Sequence, residues 1–396
     1  MKMDVWLMEI AKGIGRFFFN PLFYCFFIII LFTSLKRIKK ERKMFGSKIF
    51  DVFDEVRYTW KSSLLFSLIT TILTVGLGVS FTYTIVGALS VITLLSLIIN
   101  RFTWLSAAYT FGFSYLLLLL TPYYMDYLPF QIERTIENNQ WVMFTTLMGL
   151  FLLYESYMML KIQQNETFPE RIKGTRGKYI GQHRLKKATL IPLVTLLPIG
   201  ELTPLTEWWP MIPIGNQQFG LIFFPVVIGF EQVIRGMLPK KALHGLAQSL
   251  LILSFIVMGT AIAGYYLPIF TLISVVIALI GREWLSIRFR MKDRQKGPFF
   301  TPEENGLRIL SVIPTTPADE IGLQVGEKIT KVNGRSVHSE QEFYEALQLN
   351  SAHCKLDVLD ERGEIRFVQR ALYQGEHYEL GIIFCTQPSS DLAEAR

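Results

Sequence analysis

The feature that most constrains this chain is a succession of long apolar runs set close together. Residues 17–35, 62–79, 82–99, 102–121 and 141–160 form runs with few charges, each near the length that crosses a hydrocarbon core as a helix. Only short gaps separate the second, third and fourth runs, so those three must stand as antiparallel neighbours. A last pair covers 249–266 and 267–280. Composition agrees: 51% of residues are hydrophobic and 14% aromatic, more than a soluble domain carries. The expected base is a polytopic α-helical membrane domain over residues 1–283, with about eight or nine helices in a range of seven to nine, of which seven or nine satisfy charge parity.

Charge sets the expected topology. Lys36, Arg37, Lys39, Lys40, Arg42 and Lys43 open a basic loop at 36–61, and a second basic loop lies at 161–187. Loops rich in Lys and Arg stay in the cytoplasm, and four runs separate these two, which puts both on one side. The stretch 121–140, with Asp126, Glu133 and Glu137 against Arg134, belongs outside, and so does the N-terminus. The first run ends in the basic cluster instead of a small-residue cleavage site, so it is expected to remain as an anchor. Arg282, Arg288, Arg290, Lys292, Arg294 and Lys296 return the chain to the cytoplasm through a basic juxtamembrane linker at 284–299. The basic cluster also suits anionic lipid or an acidic partner. Ile49, Phe50, Phe53 and Val56 behind it have the spacing of an amphipathic helix on a surface.

Residues 188–230 resist a simple reading. Apolar stretches at 189–200 and 219–234 flank the proline-rich TPLTEWWPMIP, whose Trp208 and Trp209 suit an interfacial belt. Two broken helices or one re-entrant hairpin both satisfy the pattern.

After Gly297-Pro298 the long runs stop. Strands are predicted at 307–313, 354–359, 365–369 and 378–384, and a helix at 339–349 with Ser339 as N-cap and Glu342 three residues on. The stretch ADEIGLQVGEKITKVNGRSV joins a short helix ending at Gly322, a turn at Gly326, a strand, and an Asn333-Gly334 turn. Asn-Gly supplies the two positive φ angles of a tight hairpin. This stretch resembles the core of PDZ domains, with Ala318, Gly322, Leu323, Gly326, Asn333 and Gly334 at the motif positions. The resemblance implies an α+β PDZ-like domain at 300–386, followed by a polar tail at 387–396. Such domains capture an extended peptide or a protein surface. The Φ-Gly-Φ loop that holds a terminal carboxylate has its candidate in Leu380-Gly381-Ile382-Ile383, as in circularly permuted bacterial members. Phe343 and Leu347 are offered by the facing helix to the groove or the core.

A PDZ unit on a membrane base suggests an intramembrane or regulatory protease, but His183, His244, His338, His353 and His377 include no HExxH pair. Ser114 in Gly112-Phe113-Ser114, with His244, gives a loose serine-protease likeness. Glu155, Glu201 and Glu231 are the residues a transporter would need. The bland alternative is helix contact, with Glu231 and Arg235 as an i,i+4 pair. Cys25, Cys354 and Cys385 are too scattered for zinc or a disulfide framework, and nothing accompanies the basic clusters to suggest nucleic acid. Neither a metal nor a cofactor is expected.

Across its whole length the chain resembles the MinJ family of division-topology proteins of Bacillus-type bacteria. The segments that carry this likeness are FFFNPLFY, KRIKKERKMF with the following KIFDVFDE, and the PDZ core. The resemblance implies a non-enzymatic adaptor in the cell membrane, enriched at septum and poles. It would bridge a DivIVA-like polar scaffold and the division inhibitor MinD, restricting septation to midcell.

Overall fold

The structure is a computed structural model that describes residues 2–124, 136–174, 177–204, 209–211, 218–350, 353–372 and 380–386. The N-terminal region runs α1 (Lys2–Phe19), α2 (Pro21–Phe45), α3 (Asp54–Arg57), α4 (Trp60–Leu77), α5 (Tyr83–Ile98), a 3-10 turn (Phe102–Leu105), α6 (Ala107–Leu119), α7 (Thr121–Tyr124) and α8 (Asn138–Lys161). Strands β1 (Phe168–Lys173), β2 (Tyr179–Leu202) and β3 (Phe219–Ile234) follow, then α9 (Pro239–Ala263) and α10 (Ile269–Gln295). Helices α2, α4, α8, α9 and α10 are long and apolar enough to cross a membrane; α5 and α6 are shorter apolar helices.

The first expected run divides at Asn20-Pro21. Asn20 is extended and its side chain accepts from the Leu22 N–H at 3.0 Å, while Pro21 needs no donor at the first helical position. Thus α1 is a separate helix, lying against β3.

The base is not purely helical. Residues 168–234, expected as a basic loop followed by broken helices or a re-entrant segment, contain a three-stranded antiparallel sheet in the order β1-β2-β3. Prolines at 192, 198 and 225 disfavour helix, and β3 is rich in Val, Ile and Phe. Pro192 and Pro225 face each other in the ladder. The Pro192 carbonyl points out of the hairpin toward α4, where Ser67 bonds it. The donor that proline lacks is therefore an outward one, and no ladder bond is lost.

Helices and turns cover both outer edges of this hairpin. Along β2, Thr59 Oγ1 donates to the Ala188 carbonyl at 3.2 Å and Thr74 Oγ1 to that of Val194 at 2.6 Å. Leu196 exchanges backbone bonds of 2.9 Å with Val79 and Phe81. Along β3, Arg16 donates to the Leu221 carbonyl at 2.5 Å, and Thr103 Oγ1 to that of Glu231 at 3.4 Å. Side chains thus replace the missing neighbour strands, as buried backbone requires. Both faces of the hairpin are largely buried, and β2 and β3 share one apolar core with α5, α6, α8, α9 and α10.

Inside this base Glu155 and Arg282 form a fully buried ion pair at 3.0 Å. Arg282 therefore does not join the exposed basic residues with which its sequence position groups it. Glu231, on a strand, pairs with Arg184 at 2.7 Å. The expected Glu231–Arg235 helical pair does not form, and Arg235 Nε instead donates to Gln182 at 2.6 Å. Residues 284–295, expected within a linker, are the last turns of α10. There Asp293 accepts from the backbone N–H groups of Arg235 and Gly236.

The C-terminal unit runs β4 (Leu307–Val312), α11 (Pro317–Glu320), β5 (Lys328–Val332), β6 (Arg335–Ser336), α12 (Glu340–Gln348), β7 (His353–Leu359), β8 (Ile365–Ala371) and β9 (Ile382–Phe384). Its sheet order is β8-β7-β5-β4-β9, with β6 on β5. Gly322, Gly326, Asn333 and Gly334 all have positive φ. Ser339 caps α12 by accepting from Glu342 N at 3.2 Å, while the Glu342 carboxylate takes the N–H of His338. Ala318 and Leu323 are fully buried in this unit's own core.

This unit is docked on the helical base. Gly181 of β2 donates to the Phe300 carbonyl at 2.8 Å, and Phe299 to the Arg235 carbonyl at 2.8 Å. Asn165 brackets the β4–β5 connection, donating to the Leu323 carbonyl at 2.9 Å and accepting from Val325 N at 3.0 Å. Leu238, Phe300, Leu310, Val325 and Cys385 form a small core across the seam.

Candidate functional site

Among the described residues strand β9 pairs with β4 on one side only, through Ile382–Val312, Ile383–Ser311 and Phe384–Ile309. Its other side opens on a cleft of about 910 Å³ bordered by the first half of α12. Gly381 at the head of β9 has φ +85°, and a Cβ there would fall 2.1 Å from Thr316 Oγ1. Only glycine suits that backbone. The Gly381 carbonyl accepts from Ile313 N at 2.8 Å and the Leu380 carbonyl from Ala318 N at 3.0 Å. These bonds fix the loop from behind and leave the α12 side as the open edge.

The sequence-predicted groove residues divide. Gly381, Ile382 and Ile383 line the cleft. Leu380, Phe343 and Leu347 are fully buried in the core instead, with Phe343 against Phe384 at 4.9 Å between ring centroids. From α12 the cleft takes Glu340, Gln341 and Tyr344, together with the cap Ser339.

The cleft has a wall that the C-terminal sequence does not contain. Met44–Lys48, where α2 ends, and Arg171 of β1 also line it. Gly46, at φ +80°, closes α2 by donating to the Arg42 carbonyl at 3.0 Å, which turns the chain toward the cleft. The Arg171 guanidinium lies 5.3 Å from the Phe45 ring, and its buried Nε has no hydrogen-bond partner. Burial pushes the Arg171 pKa below its usual value. These residues lie more than 200 positions from β9, so no local signal could have joined them to the groove.

Across the cleft, Glu303 bonds Arg308 and, at 3.0 Å, Lys328. Burial alone would raise the Glu303 carboxyl, but the hydrogen bonds from Arg308 and Lys328 hold it below the ordinary range. Cys385 is buried at the seam, and desolvation lifts its thiol to about 11.

The basic cluster is divided as well. Lys36, Lys39, Lys40, Arg42 and Lys43 are exposed on the last turns of α2. Arg37 turns inward to Glu41 at 2.8 Å and Glu55 at 2.9 Å, so it is not available to lipid. Lys40 meets Glu170 at 2.7 Å. The expected amphipathic helix does not form. Ile49 and Phe50 are buried beside Phe168, Phe53 is left-handed, and only Asp54–Arg57 is helical.

Ser114 donates to the Thr110 carbonyl at 2.6 Å within its own helix, while His244 is exposed on α9 beside Gln248. Glu155 is held by Arg282, Ser106 and the Ala107 N–H, and Glu201 meets Lys12 at 3.2 Å. Trp209 is buried against Phe219 and donates to the Val75 carbonyl at 2.9 Å; Trp208, Asp126, Glu133, Arg134 and His377 lie outside the described residues. Among the described residues no group of His, Cys, Asp and Glu converges as metal ligands would.

Comparison with known proteins places these features in a family. The PDZ domain family matches residues 308–359. A protein named Probable cell division topological determinant MinJ, from Lacticaseibacillus paracasei, is 33% identical over 128 residues, 32% of this chain and 34% of the relative. The Cell division topological determinant MinJ of Bacillus subtilis (strain 168) is 35% identical over 392 residues, covering 98% of each chain. With helical base, hairpin and PDZ domain all inside that alignment, the chain belongs to the MinJ family.

Proposed function

We propose that this chain is a non-enzymatic membrane adaptor for division-site placement. It would hold a polar or septal scaffold of the DivIVA type and the inhibitor MinD near one another, so that septation is confined to midcell. The observation that carries this reading is the end-to-end match to a topological determinant, which covers the helical base and the PDZ domain together. Glu155 and Arg282, deep in the base, are paired with each other as a packing contact, which favours a structural base over an ion path.

In this reading the five long helices, the two shorter ones and strands β2 and β3 all traverse the bilayer. Open strand edges are not tolerated in lipid, and here both edges are covered by polar side chains. An odd number of crossings leaves the N-terminus outside and the PDZ-like unit, 300–386, in the cytoplasm beside the exposed lysines of α2. Those lysines would meet anionic lipid, and the open edge of β9 would take a peptide or protein ligand.

The test is a fluorescent fusion at the native locus combined with deletion. Signal at septa and poles, with elongated or misdivided cells on deletion, is expected. Uniform membrane signal with normal cell length overturns the reading.

A further inference from the structure

The cleft beside β9 combines surfaces from both parts of the molecule, and one side chain in it is left without a counterpart. Among the described residues Arg171 forms no ion pair, its Nε is buried without a hydrogen bond, and the residue lines the open cleft. The other Lys and Arg residues that line the cleft are engaged: Lys48 with Asp51 at 2.7 Å, and Arg308 with Glu303. A buried donor without an acceptor is unfavourable, and an arginine fork is best satisfied by a carboxylate.

Resting on the reading of the β9 edge as a peptide groove, we propose that Arg171 is an acid-reading subsite supplied to the PDZ groove by the helical base. The occupant is an extended peptide with a free C-terminus and an Asp or Glu side chain upstream of it. Such a peptide runs antiparallel to the groove strand with its terminal carboxylate at the Gly-containing loop. Gly381 marks that end, and Arg171 lies toward the other, since its ladder partner Gly181 packs against Leu310 and Phe300, which share a small core with Cys385. Four residues of extended chain cover about 13 Å. The acidic side chain therefore belongs about three to five residues before the C-terminus. Phe45 supports one part of the guanidinium by a cation–π contact at 5.3 Å, leaving the fork for the ligand. Glu340, the acid of α12 that lines the cleft, accepts from the Thr386 hydroxyl at 3.3 Å.

The test uses the full chain in nanodiscs, selected against a library of random octapeptides with free C-termini. Enriched peptides are then measured by fluorescence anisotropy. We expect enrichment of Asp or Glu at the upstream positions, and about tenfold weaker binding when that residue is changed to its amide. Arg171→Gln should erase this difference while keeping the preference at the terminal residue, and Arg171→Glu should favour Lys or Arg upstream. Peptides enriched without an acidic preference, or with one that survives Arg171→Gln, overturn the subsite and leave the groove standing. If the chain enriches nothing, groove and subsite fall together.

Discussion

The guanidinium of Arg282 lies 3.0 Å from the carboxylate of Glu155, and neither side chain has any exposed surface. Ser106 donates to the carboxylate at 2.6 Å and accepts from Arg282 Nε at 3.1 Å, while Ser286 takes a second guanidinium nitrogen at 2.7 Å. The pair ties α10 to α8 and to the start of α6.

Breaking that pair from one side strands a buried charge. Glu155→Leu or Arg282→Met alone should destabilise the base by about 3–5 kcal/mol, and the double variant should recover most of the loss. Thermal unfolding of the detergent-purified chain measures this. If either single variant melts like the wild type, the pair is not a structural tie.

Gly181 is a point of close approach between the two units, since a Cβ there would lie 2.4 Å from Leu310 and 2.8 Å from Phe300. Gly181→Val should separate the PDZ-like unit from the base without unfolding either. Faster proteolysis near Gly297 and faster amide exchange at Phe300 are the expected readouts. Gly15→Ala, whose added Cβ meets nothing within 4 Å, should leave both unchanged.

Two buried thiols give the same event a chemical reporter. Desolvation lifts Cys385 to about 11 and Cys354 to about 12, so both should resist iodoacetamide at pH 8 in a Cys25→Ser background. In Gly181→Val the seam opens, and Cys385 should become reactive while Cys354, inside the PDZ core, stays protected. Equal labelling of both would mean that the domain had unfolded.

Glu303 predicts a pH dependence. Its folded pKa lies below the ordinary carboxyl value of 4.5 because, against the opposing effect of burial, the hydrogen bonds from Arg308 and Lys328 prevail. The stabilisation is therefore complete above pH 4.5 and is lost as pH falls through the folded pKa. Acid titration of the melting temperature should show that loss, and Glu303→Gln should lower stability at neutral pH while flattening the acid limb. An unchanged acid limb in the variant would refute the assignment.

How far the sequence disclosed this architecture depends on where each signal resides. The long helices were legible because an uninterrupted apolar run of that length has few other solutions. The turns of the PDZ core were legible because Gly322, Gly326 and Asn333-Gly334 each require positive φ. The hairpin was not. Strands buried on both faces lose the alternation that marks a strand, and β3 reads as a plain apolar run. The ranges 189–200 and 219–234 were located, but their strand character was hidden. Arg37 and Arg282 looked like topology markers because their carboxylates, Glu55 and Glu155, are distant in sequence. Arg171 had no sequence signal at all, since its place in the cleft depends on how two units meet.

That meeting determines how the molecule can act. Helix α10 continues to Gln295, and by Phe299 the chain is already bonded to the base, so almost no slack separates the last helix from the PDZ-like unit. A domain on a loose tether would search a hemisphere and capture partners in any orientation. Here the groove keeps one bearing relative to the helix axes, and α2 ends in its wall. The molecule behaves as a bracket more than a rope: whatever binds the groove acquires a direction as well as a location.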